Sequence, residues 1–307
     1  MSGASRGERM PAPSVGRATA LVAFSACCFG TIAILVTLAT REGARLSELL
    51  AWRFLIAAAL LAIVAGGPSA VRREARRGLP LLVLAGGGQA AIGGLSLGAL
   101  RYIPAATMIF LFYTFPAWVT VLSALRGKEP LTGRRLIALV LSLAGIAVMV
   151  GLPGTGTSGA ATPGVLLALA GALLYALYIP MINHLGRELP PALTATYAAT
   201  GAGVIFTVVA AITGGFAVQP ANVWLMIVVL AVVCTVIAFT LFLRGLAVLG
   251  PVRTAIVSTV EPFWGALLGS LVLAQPLAAR TLTGGVLVAA AVVILNLPQR
   301  VDAPVAA

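Results

Sequence analysis

Long apolar runs fill almost the whole chain, separated by short stretches that are charged or rich in glycine and proline, such as REGARLSE, GGPSAVRREARRG and RGKEPLTGRR. Most of these runs are about 20 residues long, the length that an α-helix needs to cross the hydrocarbon core of a bilayer. The pattern predicts an all-α polytopic membrane protein with ten transmembrane helices. The predicted spans are 17–39, 46–66, 79–100, 104–124, 132–151, 163–184, 191–214, 221–243, 252–274 and 279–297.

Composition excludes a soluble protein and gives no sign of metal chemistry. Of the 307 residues, 60% are hydrophobic and only 9% are charged, whereas the outer surface of a soluble domain must be largely polar. The cysteines Cys27, Cys28 and Cys234 match neither a zinc spacing nor a disulfide framework, and His184 is the only histidine. We expect no metal, no cofactor and no catalytic residues.

The net charge of +12 orients the protein and does not indicate a nucleic-acid partner. With the N-terminus in the cytoplasm, fifteen of the twenty basic residues fall on the cytoplasmic side and four on the other, with Arg53 inside a span. Basic residues accumulate in cytoplasmic loops and contact anionic lipid headgroups. Both termini are therefore predicted to be cytoplasmic, in a bacterial-type inner membrane, with membrane lipid as a partner.

An internal repeat divides the chain into two halves. FPAW at 115–118 and EPFW at 261–264 share proline and tryptophan at one spacing, 146 residues apart. The same shift relates five pairs: Pro116 and Pro262, Trp118 and Trp264, Pro130 and Pro276, Leu131 and Leu277, and Arg134 and Arg280. Five spans per copy invert the second copy in the membrane, a recurrent transporter design with a site between the halves. The predicted units are a cytoplasmic tail (1–16), a first repeat (17–151), an external linker (152–162), a second repeat (163–297) and a cytoplasmic tail (298–307).

These motifs resemble the EamA-type drug/metabolite transporter superfamily. The resemblance rests on RYIPAATMIFLFYTFPAW, on VRTAIVSTVEPFWGALLGSLVLAQPL, on AWRF in the second span and on ten spans in two halves. It implies a transporter like the exporters of amino acids and related metabolites, including aromatic amino-acid exporters of the YddG kind. One departure is that family members commonly end span nine with a Gly-Glu pair, where this chain has Ala274 and Gln275.

Glu261 is the only acidic residue well inside a predicted span. A carboxylate near the bilayer centre costs about 2.5–3.5 kcal/mol on insertion scales, so such groups face protein or a watery cavity. Thr254, Ser258, Glu261 and Gly265 recur at the spacing of one helix face, and Pro262 predicts a kink. The favoured interpretation is a cavity-lining carboxylate, and the alternatives are a structural carboxyl group and a proton-coupling group.

Arg53 is the other intramembrane charge. It lies about two turns from the external end of span two, where its side chain can reach the interface or anchor one helix to another. These two interpretations are favoured over substrate contact, although Arg53 remains a possible charge partner inside the membrane.

The 146-residue shift also selects candidate cavity residues, because a site on a pseudo-two-fold axis uses matching positions of both halves. The matched pairs are Gln89 with Thr235, Phe29 with Tyr175, Tyr113 with Thr259, and Phe115 with Glu261. Ordinary packing is the alternative for each aromatic residue taken alone. The full candidate set is Phe29, Gln89, Tyr113, Tyr175, Tyr178, Thr235, Phe239, Ser258, Thr259, Glu261 and Trp264.

Together these features predict a monomeric secondary transporter that exports small zwitterions, with hydrophobic or aromatic amino acids favoured, by alternating access through a central cavity. Protons are a possible coupled partner. The alternatives within this class are carriers of other metabolites, drugs or nucleotide sugars. A membrane-embedded enzyme lacks the necessary cluster of titratable residues, and a channel lacks a filter loop or a ring of like charges.

Overall fold

The structure, a computed structural model, describes residues 14–99, 101–103, 105–127, 132–150, 162–274 and 279–296. Within these ranges the chain is helical and contains no strand. Most of both predicted tails and of the predicted linker lie outside the described residues, as do four of the ten repeat positions (Pro130, Leu131, Pro276 and Leu277) and Gln275.

Fourteen helices occur in the described part of the chain. They are α1 (Val15–Arg41), α2 (Leu46–Val64), α3 (Gly67–Arg73), α4 (Ala75–Pro80), α5 (Gly86–Ala99), α6 (Ala105–Phe112), α7 (Phe115–Leu125), α8 (Gly133–Val150), α9 (Thr162–Leu185), α10 (Pro191–Ile212), α11 (Ala221–Ala231), α12 (Ala238–Val257), α13 (Val260–Leu273) and α14 (Ala279–Asn296). Two π-helical segments, Leu81–Ala85 and Val232–Ile237, join α4 to α5 and α11 to α12.

Six of the described helical stretches are long and apolar enough to cross a membrane: Val15–Arg41, Leu46–Val64, Ala75–Ser96, Thr162–Leu185, Pro191–Ile212 and Ala221–Val257. Shorter apolar helices cover Phe115–Leu125, Val260–Leu273 and Leu282–Ile294. Large apolar side chains are exposed on the outside of the bundle, among them Phe24, Val208 and Val286. Such a surface suits a lipid environment and not water.

The two halves of the chain pack into each other, and the first helix of each half lies against helices of the other. The most extensive contacts join α2 to α10 and α8 to α14, which are corresponding helices under the repeat shift. Helix α1 packs on α12 and α13, and its counterpart α9 packs in the same way on α5 and on α6 with α7. Each half therefore inserts its first helix against the third and fourth spans of the other half.

Two predicted spans, 104–124 and 252–274, are each interrupted by a short turn, in which Thr114, Ser258 and Thr259 keep right-handed helical dihedral angles. The first divides into α6 and α7 and the second into the end of α12 and α13. Pro116 and Pro262 lie in the first turns of α7 and α13, where a missing N–H group costs little. Because the helix stops between Val257 and Val260, the expected face from 254 to 265 does not exist as one helical stripe.

The hydrogen bonds at the breaks correct the register of the repeat. The Thr114 hydroxyl donates to the Leu111 carbonyl, and the Thr259 hydroxyl donates to the Ile256 carbonyl. These equivalent bonds are 145 residues apart, one fewer than the prolines that follow them. The predicted pairing of Tyr113 with Thr259 and of Phe115 with Glu261 is therefore wrong at the break, where the second half carries one extra residue before its proline.

In place of the predicted loop between spans eight and nine, the backbone bends sharply at Gly250. The backbone leaves helical geometry at Gly250, which has φ 74° and ψ 170° and precedes Pro251 within α12. A positive φ is accessible to glycine without a steric penalty, and the proline N–H group is absent. α12 therefore consists of two helical parts joined at Gly250, of which the first ends span eight and the second begins span nine.

Candidate functional site

Glu261 lies in the first turn of α13, directly after the second helix break, and is half-buried. The Tyr113 hydroxyl, at the end of α6, interacts with its carboxylate. Tyr175 of α9, Arg53 of α2 and Cys27 of α1 are near enough to interact with the same carboxylate electrostatically. These five residues, which come from four helices and from the turn that follows α6, are called the Glu261 cluster below.

The position of Glu261 places a carboxylate at the N-terminus of a helix. The helix dipole is positive at this end, which favours an anion, and the Glu261 N–H group itself donates to the Ser258 carbonyl. The first break lies opposite, because Tyr113 is the residue just before the equivalent turn. Two interrupted spans thus meet in the interior at their breaks, the arrangement in which transporters form substrate sites.

An aromatic wall borders the Glu261 cluster and is built from five rings: Phe112, Tyr113, Phe115, Tyr175 and Tyr178. Tyr175 contacts three of the others, with ring centroids 4.7 Å from Phe115, 5.5 Å from Phe112 and 6.1 Å from Tyr178. The distances and mixed stacked and edge geometries are those of favourable aromatic pairs. The wall therefore presents apolar faces beside a single carboxylate.

Arg53 is 6% exposed and is fixed by the second π-helical segment. Its Nε donates to the Thr235 hydroxyl at 2.7 Å and its Nη2 donates to the Cys234 carbonyl at 3.1 Å. Its guanidinium carbon also lies 4.9 Å from the centre of the Phe54 ring. Arg53 therefore links α2 to the segment between α11 and α12.

The π-helical geometry explains why the Cys234 carbonyl is available. The Ala238 N–H group would donate to it in an α-helix, but here it donates to the carbonyls of Val233 and Thr235. The Thr235 hydroxyl in turn donates to the Leu230 carbonyl at 2.9 Å. The local widening of the helix thus creates the acceptor that the guanidinium needs.

Three of the predicted cavity residues have side chains that bind other parts of the fold. The hydroxyls of Ser258 and Thr259 are buried and donate to carbonyls of α12, at Thr254 and Ile256. The Trp264 indole donates to the Thr31 hydroxyl at 3.1 Å and joins α13 to α1.

The remaining predicted residues make no hydrogen bond to Glu261. Phe29 is half-buried on α1 and packs edge-on against Phe242, and Phe239 is buried in the same core. Tyr178 packs against Gly88 of α5, and a Cβ added to Gly88 would lie 3.0 Å from the tyrosine ring. The neighbouring Gln89 is half-buried on that helix.

A separate apolar pocket of about 390 Å³ lies beside the first break. Its lining residues are Thr114, Val140, Leu143, Ala144, Ile146 and Ala147. The Thr114 hydroxyl is already bonded to the Leu111 carbonyl, so this pocket offers no free polar group from its lining. It contains none of the predicted site residues and is distinct from the Glu261 cluster.

Comparison with known proteins identifies the family. The model of the EamA-like transporter family matches the chain twice, over residues 17–151 and 162–297. The chain belongs to the EamA-like transporter family. It is therefore a membrane-embedded, multi-pass transporter and not an enzyme, and within its described residues no group of three metal-binding side chains occurs.

Similar proteins support this assignment to the transporter class. The chain is 26% identical over 184 residues to a Bacillus subtilis (strain 168) protein described as the uncharacterized transporter YcbK. That match covers 58% of this chain and 59% of the relative. A solved crystal structure is similar over 92% of this chain and 97% of its own, with a TM-score of 0.76 at 21% identity, which shows a shared fold.

One buried charge in this EamA-like transporter was missed by sequence reasoning. Glu48, in the first turn of α2, is 0% exposed. Its Oε1 accepts from the Ala217 backbone N–H group at 3.1 Å, and its Oε2 has no partner among the described residues. Sequence analysis singled out only Glu261 among the acidic residues, because Glu48 lies near the end of a predicted span. The signal that could have found it is Trp52 one turn later, whose ring meets that of Phe216 edge-on and that of Trp224 at a tilt.

Proposed function

We propose that this transporter exports small zwitterionic metabolites, with hydrophobic or aromatic amino acids as the favoured substrates, by alternating access around the Glu261 cluster. The Glu261 carboxylate binds the ammonium group of the substrate. The aromatic wall holds the apolar side chain, and movement of the helix bundles exposes the site to each side of the membrane in turn.

The observation that carries the proposal is the position of one carboxylate among aromatic rings where two helix breaks meet. A carboxylate supplies charge-assisted hydrogen bonds to an ammonium group, and aromatic faces attract both cations and apolar groups. Glu261, Phe29, Tyr175 and Trp264 are only half-buried although they lie inside the bundle. This partial exposure supports an open space beside them that a substrate can fill.

The proposed membrane arrangement has ten spans in two inverted five-helix repeats, with both termini in the cytoplasm and the protein in a bacterial-type inner membrane. Two family matches of nearly equal length support the duplication, as does the exchange of α1 and α9 between the halves. The excess of basic residues on one side supports the orientation. A monomer suffices, because both halves of the site come from one chain.

Nucleotide sugars, other metabolites and drugs are alternative cargoes for the same fold. A phosphate group is best bound by several basic side chains, and Arg53 is the only one in the Glu261 cluster. Two of its nitrogens are already occupied by Thr235 and the Cys234 carbonyl. The cluster therefore favours a zwitterion over a nucleotide.

Purified protein in liposomes tests the function. We expect saturable counterflow of hydrophobic or aromatic amino acids from a panel, and a Glu261→Gln variant should lose at least about tenfold in transport, since hydrogen bonds to charged groups contribute about 1.5–3 kcal/mol. Glu188→Gln is the matched control, because Glu188 is an exposed carboxylate paired with Arg77. Unchanged transport in Glu261→Gln overturns the substrate contact, and ohmic single-channel currents overturn the carrier mechanism.

Proton coupling is tested in the same liposomes with and without a pH gradient. If Glu261→Gln retains exchange but loses accumulation driven by the gradient, Glu261 carries the coupled proton and does not hold the substrate. If accumulation by the natural protein ignores the gradient, the transporter equilibrates its substrate without protons.

A further inference from the structure

The start of α2 is fastened to the segment that follows α10. The Oε1 atom of Glu48 accepts a hydrogen bond from the Ala217 N–H group at 3.1 Å, and the hydroxyl oxygens of Ser47 and Thr213 lie 3.1 Å apart. Arg45, which directly precedes α2, donates from Nη1 to the Thr213 carbonyl at 3.3 Å. These three hydrogen bonds, called the α2 clasp below, join the first half of the chain to the second.

The start of α10 is fastened in a similar way to the segment that follows α2. The Tyr197 hydroxyl donates to the Val71 carbonyl of α3, and a Cβ added to Gly78 of α4 would overlap the Tyr197 ring. Arg77 of α4 also pairs with Glu188, just before α10, with 3.4 Å between Nε and Oε2. These contacts are called the α10 clasp below.

The two clasps occupy equivalent places in the two repeats. Val71 and Ala217, whose backbone groups are bound in the clasps, are 146 positions apart in the chain, the shift that relates Pro116 to Pro262. Each of them lies after the second helix of its own half and contacts the start of the second helix of the other half. Helices α2 and α10 therefore run antiparallel, with one clasp at each end of the pair.

The middle of the pair is also closely packed. The buried rings of Phe54 and Phe206 stack, with centroids 5.7 Å apart and planes 8° from parallel. A Cβ added to Gly203 would lie 3.4 Å from the backbone nitrogen of Leu55, so the two backbones approach closely there. Contacts thus join α2 to α10 at both ends and between them.

Each helix of the pair binds a further span of the opposite half. In the first half, Arg53 of α2 donates to the Thr235 hydroxyl and to the Cys234 carbonyl of the second half. In the second half, α10 lies against α5, where a Cβ added to Gly86 would lie 2.5 Å from the Gly201 Cα atom. Separating the two halves would therefore break these contacts as well as the clasps.

We propose that α2 and α10 form one rigid unit that stays fixed during transport, so that the two repeats are not the bodies that move. The change of access then comes from the other helices, which move against the fixed pair. This inference rests on the alternating access of the proposed function and adds to it which two helices stay together.

The physical reason is the cost of opening the pair. Rocking of one whole repeat against the other, a common movement in inverted-repeat transporters, would open one clasp and then the other in each cycle. It would also pull apart the stacked rings of Phe54 and Phe206. Because protein interiors are close-packed and a void forfeits the contacts that lined it, a pair that stays closed avoids a loss that rocking repeats incur twice.

Cross-links that lock both clasps test the proposal in liposomes. In a background with all three native cysteines replaced by alanine, Ser47→Cys with Thr213→Cys can form a disulfide, since the two hydroxyl oxygens that the sulfur atoms replace are 3.1 Å apart. Arg77→Cys with Glu188→Cys takes a bis-methanethiosulfonate linker at the other end. Both cross-links are made after folding and are removed by reductant.

We expect the doubly cross-linked protein to transport at a rate within about twofold of the reduced protein, because locked helices limit turnover only where they must move. A larger loss with either cross-link, restored by reductant, overturns the fixed pair. The single variants Ser47→Cys and Glu188→Cys are the controls, since each carries the reagent without joining the two helices.

Spin labels give a second result that needs no substrate. Ile63→Cys and Ile212→Cys place labels at exposed positions of α2 and α10, and we expect one population of distances between them in lipid nanodiscs, with and without amino acids. Two populations overturn the fixed pair. Absence of transport for every amino acid defeats the proposed function, and the distances between the labels then decide this inference by themselves.

Discussion

The Tyr113 hydroxyl interacts with the Glu261 carboxylate across the interface between the two halves of the chain. Each residue belongs to a helix break, and the breaks are equivalent under the repeat. A contact between them therefore joins the two halves at the centre of the bundle. A movement that separates the halves would change this interaction.

The Tyr113 hydroxyl is expected to orient Glu261 for its substrate. Tyr113→Phe removes that hydroxyl and keeps the ring, so the apparent KM for transport should rise about tenfold, the effect of one hydrogen bond to a charged group. Tyr178→Phe is the matched control, because the Tyr178 hydroxyl is buried and has no hydrogen-bond partner among the described residues. Equal KM values for the two variants in liposome counterflow would contradict the role of Tyr113.

The contact between Gly30 and Glu261 should tolerate no side chain. Gly30→Ala places a Cβ 2.7 Å from the Glu261 carbonyl oxygen, and overpacking of this kind costs about 1–3 kcal/mol. We expect a lower melting temperature in detergent and reduced transport. Gly94→Ala is the control, because the added Cβ meets no described atom within 4 Å, and it should be neutral or slightly stabilising. If Gly94→Ala lowers the melting temperature as much as Gly30→Ala, the loss comes from replacing a helical glycine and not from the contact with Glu261.

The hydroxyl of Thr235 should contribute to stability through Arg53. Thr235→Val leaves the Arg53 Nε without its acceptor, and we expect a loss of about 1.5–3 kcal/mol in the free energy of unfolding, measured by titration with sodium dodecyl sulfate. Thr207→Val removes a hydroxyl that bonds only to the Gly203 carbonyl of its own helix and should change stability by less than about 0.5 kcal/mol. Similar losses of stability in both variants would mean that the hydrogen bond between Thr235 and Arg53 adds no stability.

The end of α13 carries strain that glycine should relieve. Ala274 has φ 54° and ψ 30°, a left-handed conformation that costs an L-residue about 1–2 kcal/mol. Ala274→Gly removes this cost but loosens the unfolded chain by about 0.4–1 kcal/mol, so the melting temperature should rise slightly. Ala59→Gly, at an exposed helical position of α2, should lower stability by about 1 kcal/mol. A lower melting temperature in both variants would contradict the inferred strain at Ala274.

Glu48 should fasten the connection between α10 and α11 to the start of α2. Glu48→Ala removes the acceptor of the Ala217 N–H group and should cost about 0.5–1.5 kcal/mol, whereas Glu48→Gln keeps an acceptor oxygen and should cost less. Glu42→Ala, at an exposed carboxylate, is the control and should be near neutral in the same melting assay. A Gln variant as unstable as the Ala variant would show that the charge, and not the hydrogen bond, is required.

The membrane-spanning segments could be predicted from the sequence, because they depend on local composition. Apolar runs of sufficient length predicted membrane helices, and the family resemblance was confirmed at the level of the EamA-like transporters. The sequence also singled out Glu261, as a carboxylate inside an apolar run, and Tyr113 and Tyr175, through the repeat shift; their role in a site stays a prediction.

The breaks were only partly predictable. Proline signalled an interruption at Pro116 and Pro262, but proline occurs both in kinked helices and at helix starts, so a kink and a full break look alike in sequence. The register error of one residue followed from aligning the two halves on their prolines. The hydrogen bonds of Thr114 and Thr259, which define the equivalent turns, became visible only with the backbone in place.

By itself, the sequence determined that this chain is an apolar, helical, duplicated transporter with a single acidic residue well inside its spans, because length, hydropathy and spacing are properties of each segment alone. Only the tertiary structure decided that Tyr113 contacts Glu261, that Arg53 binds the second π-helical segment, and that Glu48 is buried. Each of these depends on residues more than a hundred positions apart, brought together when α1 and α9 pack into opposite halves. The helix widening that frees the Cys234 carbonyl has no periodic signature, so no reading of the apolar pattern could have located the partner of Arg53.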